Sequence, residues 1–215
     1  MLAAPSKESI TAVVLAGGRG LRMGGFDKGL QLFNDLPLAQ HALNRLLPQV
    51  GNVIINSNRN HADYANFGVP VWPDSDALGE FAGPLAGMVA GLQHCTTPYL
   101  LTVPCDAPLF PADLAARLSE ALAESNADFA VAASLDANGS LREQSVFCLM
   151  RAGMLPSLLR YTAAGGRKVS TWTARHKVVQ VAFDQPGDDP NAFFNANTLA
   201  DLQSLAKPFK RPDLV

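Results

Sequence analysis

Short apolar runs alternate with helical patterns along most of the chain. A run of consecutive apolar and β-branched residues, such as 10–16 (ITAVVLA), predicts a strand that is covered on both faces. Apolar residues that recur three and four positions apart predict amphipathic helices. The predicted strands are 10–16, 52–58, 69–72, 98–106, 127–134, 145–150 and 178–183. The predicted helices are 37–50, 60–67, 83–95, 111–125, 152–163 and 198–206.

This alternation of strands and helices predicts the fold class. A helix between two strands serves as a crossover connection, which makes the strands parallel and places helices on the faces of the sheet. We therefore expect an α/β fold with three α/β/α layers and a mostly parallel sheet. No internal repeat or Gly/Ser linker divides the sequence, so residues 1–215 are expected to form a single domain, with a frayed tail at 207–215.

Composition narrows the range of partners and locations. Apolar residues make up 48% of the chain and charged residues 17%, which excludes a largely disordered protein. A net charge of −2 gives no general attraction to nucleic acid or to an anionic membrane. No apolar run approaches the roughly 18 residues that span a bilayer. Three cysteines without a CxxC pair indicate free thiols in a reducing compartment, so the expected location is the cytoplasm.

The loop after the first predicted strand has the composition of a phosphate-binding site. Glycine permits backbone conformations in which consecutive N–H groups turn toward an anion, and nearby cations neutralise its charge. Segment 15–29 combines both in Gly17, Gly18, Arg19, Gly20, Arg22, Gly24, Gly25 and Lys28.

Two common phosphate loops do not fit this segment. The P-loop pattern fails because Lys28 is followed by Gly29 instead of serine or threonine. The dinucleotide fingerprint fails because Met23 stands where its last glycine belongs, and because Asn56, not an acidic residue, ends the second strand. The loop therefore matches neither of these two phosphate-binding patterns.

Asp106 is the leading candidate for a metal ligand. It follows the fourth predicted strand, and open α/β sheets bind ligands at the carboxyl ends of their strands. A lone carboxylate there suits Mg²⁺, which takes one or two carboxylates together with phosphate oxygens. The alternatives are a helix cap or a salt bridge, although Asp113 is the better candidate for capping the following helix.

Two further segments carry candidate ligand contacts. Asn195 and Asn197 precede the last predicted helix; they could contact a polar ligand, and Asn197 could complete a metal shell, unless Asn197 or Thr198 caps that helix instead. Segment 160–177 holds five basic residues and no acidic one. Its Arg167 and Lys168 follow two glycines, which suggests either a second phosphate cradle or a solvated helix face.

In these segments the chain resembles the molybdenum cofactor guanylyltransferases, a branch of the sugar-nucleotide pyrophosphorylase type of nucleotidyltransferase. The resemblance rests on GPLAG at 83–87, PCD-x-P at 104–108, N-x-N-T at 195–198 and the loop residues Leu15, Gly17, Gly18, Arg22, Met23, Gly24 and Lys28. Matching segments extend from residue 12 to about 205. Cytidylyl-transferring relatives typically have LAAG where this chain has LAGG, so Gly17 favours guanine.

The resemblance implies a Rossmann-like nucleotidyltransferase that transfers GMP from GTP to the terminal phosphate of molybdopterin, with or without molybdenum, and releases pyrophosphate. It implies GTP contacts at Leu15, Ala16, Gly17, Lys28, Asn56, Asp74 and Asp106, with Mg²⁺ on Asp106. Gly18 of the same loop is added to the predicted GTP contacts, and Asn197 is the further candidate metal ligand. The N-terminal half would bind GTP and the C-terminal half molybdopterin. The catalytic set is Lys28, Arg22 and Asp106. The residues assigned to molybdopterin are Arg167, Lys168, Asn195 and Asn197.

The substrate brings its own nucleophile, so catalysis requires positioning and charge neutralisation, without a Ser–His or Cys–His pair. Residues 143–145 (Glu-Gln-Ser) depart from relatives that often carry a proline after His or Gln, on the expected pterin side. The alternatives are a cytidylyltransferase, a sugar-phosphate nucleotidyltransferase or a non-catalytic GTP-binding scaffold. The resemblance also implies a molybdenum-insertion protein or a molybdoenzyme chaperone as a protein partner.

Overall fold

The computed structural model describes residues 3–18, 26–75, 83–136 and 138–205. Its strands are β1 (Ile10–Leu15), β2 (Leu32–Phe33), β3 (Leu36–Pro37), β4 (Asn52–Asn56), β5 (Val71–Trp72), β6 (Tyr99–Pro104), β7 (Phe129–Leu135), β8 (Leu141–Arg151) and β9 (Val178–Ala182). Its α-helices are α1 (Leu38–Leu46), α2 (His61–Ala65), α3 (Pro84–His94), α4 (Leu114–Ser125), α5 (Leu155–Ala163), α6 (Val169–Thr173) and α7 (Leu199–Leu205). Short 3₁₀ turns cover Lys7–Ser9, Lys28–Leu30 and Ala152–Met154. The tail predicted to fray, 207–215, lies outside the described residues.

The central sheet has the strand order β5-β4-β1-β6-β8-β7-β9. Strand β1 pairs in parallel with β4 and β6, β4 with β5, and β7 with β9. Only β8 runs antiparallel to its neighbours in the described part of the sheet. The prediction of a mostly parallel sheet is therefore confirmed.

Strand β8 is antiparallel because it returns directly from β7 through a tight turn. The Asp136 carboxylate accepts hydrogen bonds from the backbone N–H groups of Asn138 and Ser140, and Gly139 takes a φ of 75°. Residues 141–143 extend the ladder beside 133–135. The strand is consequently longer than the predicted 145–150.

Two layers of helices cover the sheet, as the α/β/α prediction requires. Side chains of α1 and α4 pack on one face, with Leu43 and Leu118 fully buried. Side chains of α3, α5 and α6 pack on the other face, around Met88, Leu158 and Trp172. The strands of the predicted pattern are thus apolar on both faces because both faces are covered.

Three local details differ from the sequence prediction. Helix α6 was not predicted, because it is a five-residue turn rich in β-branched residues that is held by the buried Trp172. The two-residue strands β2 and β3 are too short to show a pattern. Asp113 stands at the N-cap of α4 but makes no capping hydrogen bond, and the Gln49 side chain accepts from the Ala115 N–H instead.

The topology brings the ends of β1, β4 and β6 to one edge of the sheet, where the first residues of β8 also lie. This edge holds the candidate site. Among the described residues no helix has the length and apolar character needed to cross a bilayer.

Candidate active site

A cavity of about 670 Å³ opens at the carboxyl edge of the parallel strands. It is lined by Leu15, Ala16, Gly17, Gly18, Lys28, Asn56, Asp74, Gly83, Pro84, Pro104, Cys105, Asp106, Gln144, Ser145, Val146, Phe147, Asn195 and Asn197. The eight positions predicted to contact GTP all line this one cavity, together with both predicted asparagines. The fold therefore brings together residues that are far apart in the sequence.

The cationic side of the cavity is built around Lys28. Its ammonium nitrogen lies 3.0 Å from Asp106 Oδ2 and 2.8 Å from Asn197 Oδ1, and it donates to both. The Lys28 side chain is 21% exposed and that of Asp106 17%, so the ion pair is largely shielded from water. Of the two alternatives to a metal ligand, the structure therefore shows the salt bridge: Asp106 pairs with Lys28 after β6 and does not cap a helix. Its role as a metal ligand stays a prediction.

Asn197 reaches Lys28 because another residue caps α7. The Thr198 hydroxyl accepts from the Asp201 N–H, and the Asp201 carboxylate accepts from the N–H groups of Asn197 and Thr198. This reciprocal arrangement leaves the Asn197 side chain free to point into the cavity. The Ala196 N–H donates to the Asp106 carbonyl at 2.7 Å and fixes the segment against β6.

The opposite side of the cavity presents a carboxylate held by two amides. Asn56 donates to one oxygen of Asp74 at 2.9 Å, and Asn58 donates to the other at 2.7 Å. The Asn58 side chain also donates to the Gly17 carbonyl and accepts from the Asp74 N–H. Asn58 was missed by the sequence analysis; its only signal was the second amide in the NSN sequence after β4.

Two glycines allow this side of the cavity to form. A Cβ at Gly17 would stand 3.0 Å from the Asn56 and Asn58 side chains, so a larger residue would crowd the Asp74 cluster. A Cβ at Gly87 would collide with Asn56 and Leu15, so only glycine lets the start of α3 approach β1 and β4. This close approach accounts for the glycine that ends the GPLAG segment.

The third wall is the first part of β8. Gln144, Ser145, Val146 and Phe147 line it, which puts the segment expected on the pterin side at the cavity. The Ser145 hydroxyl donates to the Glu143 carboxylate at 2.5 Å, and Gln144 donates to Ser134 at 3.0 Å. The wall therefore presents polar groups beside the apolar ring of Phe147.

Three predicted site residues are not placed in the cavity. Arg22 falls in segment 19–25, outside the described residues. Arg167 and Lys168 are exposed and are not among the described residues that line the cavity. The Arg167 guanidinium donates to the carbonyls of Thr162 and Gly166, at the end of α5. Their assignment to molybdopterin stays a prediction.

Cys105 lines the cavity but is not suited to act as a nucleophile. Its burial, followed by the negative charges of Asp106 and Asp27, raises the pKa of the thiol well above its usual value. A thiol reacts as the thiolate, so Cys105 is unreactive at neutral pH. This agrees with a reaction in which the substrates supply the nucleophile.

Residues 12–181 match the MobA-like NTP transferase domain. A molybdenum cofactor guanylyltransferase from Acidovorax ebreus is 60% identical over 201 residues, which cover 91% of this chain and 94% of the relative. One from Bordetella petrii is 57% identical over 199 residues, which cover 93% and 98%. The structure of molybdopterin-guanine dinucleotide biosynthesis protein A from Archaeoglobus fulgidus has a TM-score of 0.70 at 19% identity, covering 90% of this chain and 95% of that one.

The mostly parallel sheet between two helix layers, with a cavity at the carboxyl ends of its strands, has the nucleotidyltransferase fold. Within that class, the chain belongs to the family of MobA-like NTP transferase domains. The family resemblance predicted from the sequence is therefore confirmed.

Proposed function

We infer that this protein is a molybdenum cofactor guanylyltransferase. It transfers GMP from GTP to the terminal phosphate of molybdopterin and releases pyrophosphate. The observation that supports this best is a single cavity with Lys28 and Asp106 on one side and the Asp74 carboxylate on the other. One side suits a triphosphate, and the other suits a base or ribose that donates hydrogen bonds.

The reaction needs no covalent intermediate with the protein. A terminal phosphate oxygen of molybdopterin attacks the α-phosphorus of GTP, a P–O bond forms, and the bond to pyrophosphate breaks. Lys28 stabilises the negative charge that develops on the phosphate oxygens, and the wall of the cavity holds the two reactants in line. The Arg22 side chain is proposed to assist Lys28 at the triphosphate.

Asp74 and Asn56 are proposed to recognise guanine or its ribose. Each Asp74 oxygen already accepts one amide hydrogen bond and keeps capacity for a second. Guanine offers N1–H and a 2-amino group as donors, whereas cytosine has no ring N–H. A carboxylate in this place therefore favours guanine, and Gly17 keeps the space beside it open.

Mg²⁺ is the proposed metal, with Asp106 and Asn197 as its protein ligands. In the structure the Lys28 ammonium lies between the two ligand oxygens, where it neutralises the site as a cation would. Two oxygen ligands from the protein fit a metal that takes the rest of its shell from phosphate and water. When bound, Mg²⁺ would supply charge neutralisation at the phosphates.

The acceptor is proposed to lie along β8, with Gln144 and Ser145 beside the pterin and Asn195 near its phosphate. Arg167 and Lys168 are proposed as further phosphate contacts from the C-terminal half. Replacing both by alanine should weaken molybdopterin binding at least tenfold and leave GTP affinity within about twofold. Loss of GTP affinity instead would assign this cluster to the nucleotide.

The decisive experiment measures pyrophosphate release with GTP, Mg²⁺ and molybdopterin. We expect release to require all three, and GTP to bind at least ~10-fold more tightly than CTP in calorimetric titrations. A preference for CTP would indicate a cytidylyltransferase. Release with a sugar phosphate in place of molybdopterin would indicate another acceptor, and GTP binding without release would indicate a scaffold.

Asp106→Ala tests the proposed metal ligand. Turnover should fall roughly 10²–10³-fold, comparable to the loss of one strong transition-state contact. Binding of Mn²⁺ in the presence of GTP, followed by electron paramagnetic resonance, should weaken in parallel. Asp113→Ala is the control, because this exposed carboxylate makes no capping hydrogen bond. Normal Mn²⁺ binding in Asp106→Ala would place the metal elsewhere.

The proposed location is the cytoplasm, and its support is the state of the thiols. Cys95, Cys105 and Cys148 are all free, and the last two are buried. We also propose that a molybdenum-insertion protein or a molybdoenzyme chaperone exchanges cofactor with this protein. Co-purification from a cell that makes molybdoenzymes would test that proposal.

A further inference from the structure

A buried carboxylate lies directly before Lys28. Asp27 is only 7% exposed, and its side chain accepts three hydrogen bonds from the described residues. The Tyr64 hydroxyl donates to Oδ1 at 2.6 Å, the Gly29 N–H donates to Oδ1 at 3.2 Å, and Asn60 donates to Oδ2 at 3.0 Å. Burying a carboxylate is costly unless such donors surround it.

Asp27 holds the turn that carries Lys28. Its carboxylate accepts from Gly29, and its carbonyl accepts from the Leu30 N–H and the Gln31 side chain. These bonds fix the 3₁₀ turn Lys28–Leu30 at its first residue. The Lys28 side chain has four flexible CH₂ groups, so a fixed backbone is what limits where its ammonium can go.

The partners of Asp27 come from a different part of the chain. Asn60 is the N-cap residue of α2, with φ and ψ of 50° and 37°, and Tyr64 lies one helical turn later on the same side. Tyr64 is fully buried. A Cβ at Gly29 would collide with its hydroxyl, so glycine is required for Tyr64 to reach Asp27.

The hydrogen bonds of Asp27 lie outside the described lining of the cavity. Lys28 lines the cavity, whereas Asp27, Asn60 and Tyr64 are not among its described lining residues. Among the described residues, their link to the cavity runs through the turn that carries Lys28. Burial, followed by the charges and hydrogen bond around it, raises the pKa of Tyr64, so its hydroxyl stays protonated and continues to donate to Asp27.

We propose that Asp27, with Tyr64 and Asn60, positions Lys28 for nucleotidyl transfer. The Tyr64 hydroxyl and the Asn60 amide fix the Asp27 carboxylate, and this carboxylate fixes the turn through the Gly29 N–H. The Lys28 ammonium is then already positioned before the triphosphate binds. This inference rests on the proposed function in its kinetic consequence only. All three side chains are positioning residues that act through Lys28.

A double-mutant cycle tests the kinetic consequence. Tyr64→Phe should lower kcat about tenfold and change the KM for GTP less than threefold, because it leaves the cavity wall intact. In a Lys28→Ala background the same substitution should change kcat less than twofold, since no ammonium remains to be positioned. An equal effect of Tyr64→Phe in both backgrounds would overturn the proposal.

Thr11→Val is the matched control for a buried hydroxyl. Thr11 is 1% exposed and shares a 2.8 Å hydrogen bond with Thr97. It lies near the start of β1, whereas the cavity lies at the end of this strand. Thr11→Val should lower the melting temperature as Tyr64→Phe does but leave kcat within twofold. Equal kcat losses in the two variants would mean that general stability, not Lys28, explains the effect, and would reject the positioning role.

Crystal structures of the two variants separate this inference from the proposed function. In Thr11→Val, Lys28 should keep both contacts, to Asp106 and to Asn197. In Tyr64→Phe, Lys28 should adopt several conformers that no longer keep both. Unchanged contacts in Tyr64→Phe would refute the positioning role even if the wild-type protein proved to catalyse another reaction.

Discussion

At the scale of single residues, Asn58 connects more of the Asp74 side of the cavity than Asn56 does. Asn58 connects the Gly17 carbonyl, the Asp74 carboxylate and the Asp74 N–H through a single side chain. Without it, one Asp74 oxygen loses its donor and the loop at Gly17 loses its anchor. Asn58 therefore helps to set the orientation of the Asp74 carboxylate, which we propose to contact guanine.

Asn58→Ala should weaken GTP binding about tenfold and reduce the preference for GTP over CTP. The reason is that Asp74 can then rotate away from the donors of guanine, while contacts to the triphosphate persist. Calorimetric titration with both nucleotides measures the two affinities. Asn44→Ala, an exposed asparagine on α1, is the control. An unchanged GTP-to-CTP ratio would show that Asp74 does not need this support.

The cysteines give a second prediction at this scale. Burial raises the pKa of the Cys105 and Cys148 thiols, whereas Cys95 is partly exposed. Because a thiol with a raised pKa stays protonated, iodoacetamide at pH 8 should modify Cys95 first and the other two only after unfolding. Mass spectrometry of the modified protein reports the order. Rapid modification of Cys105 in the folded protein would contradict its assignment as an inert thiol.

At the scale of elements, α7 delivers a functional group to the cavity. The reciprocal cap of Thr198 and Asp201 starts the helix and directs Asn197 toward Lys28. Asp201→Ala should cost about 1 kcal/mol of stability and lower turnover several-fold by releasing Asn197. Asp201→Asn keeps an acceptor oxygen and should restore most of both. Full turnover in Asp201→Ala, measured by pyrophosphate release, would show that the cap does not position Asn197.

The effect of Tyr64→Phe on stability should reverse its sign when Gly29 is replaced by alanine. Gly29→Ala should destabilise the protein, because its Cβ would collide with the Tyr64 hydroxyl. Tyr64→Phe removes that hydroxyl, so the double variant should be more stable than Gly29→Ala alone, although Tyr64→Phe lowers stability by itself. Thermal unfolding of the four proteins measures the sign. Additive losses would mean that the collision is relieved in another way.

The predicted elements show what a sequence can determine. Strands and helices with a sustained apolar pattern, such as β1, β6 and α4, were found within a few residues of their observed bounds. The pattern is strong there because both faces of the sheet are covered. Helix α6 and the hairpin of β2 and β3 are too short to produce a pattern, and tertiary packing decides them.

The site follows the same division. Asp106 could be placed from the sequence because it follows a strand and the topology brings the ends of parallel strands together. Asn56 was placed by the family resemblance. Asn58 and Tyr64 could not be placed, because their roles depend on hydrogen bonds between segments whose distance only the fold determines. The choice between Asn197 and Thr198 as helix cap was equally open until Asp201 was seen to pair with Thr198.

At the scale of the whole molecule, Arg117 connects α4 to the end of β9 and to the loop that follows this strand. Arg117 donates to Asp188 at 2.8 Å and to the Ala182 carbonyl, and its guanidinium lies over the Phe183 ring at 3.8 Å. Burial tends to raise the pKa of Asp188, but the hydrogen bonds from Arg117 and from the Gln185 N–H outweigh it, so the net pKa is lowered. The pair therefore links protonation to the stability of the fold.

A carboxyl group whose pKa is lowered by folding stabilises the protein at pH values above its unfolded pKa, about 3.9 for Asp. That stability is lost as the pH falls through the lower, folded pKa. Asp188→Asn should thus reduce the free energy of unfolding by about 1 kcal/mol at pH 7 and by much less near pH 3. Urea unfolding at both pH values measures the difference. Asp184→Asn is the control, because it removes the same charge from a residue that does not contact Arg117. A loss of unfolding free energy in Asp188→Asn that is the same at both pH values would contradict the link between Asp188 protonation and stability.

The chemistry of the cavity is assembled late in the life of the nascent chain. Asn197 follows Lys28 by 169 positions, and its segment is fastened only when the Ala196 N–H meets the Asp106 carbonyl. The ribosome therefore synthesises the glycine-rich segment 15–29, β4 and β6 long before Asn197, which accepts a hydrogen bond from Lys28. Until β8 has been synthesised, β6 lacks its antiparallel neighbour on that edge. An unfinished chain lacks Asn197, so the set of contacts that joins Lys28, Asp106 and Asn197 can be complete only after synthesis has passed the start of α7.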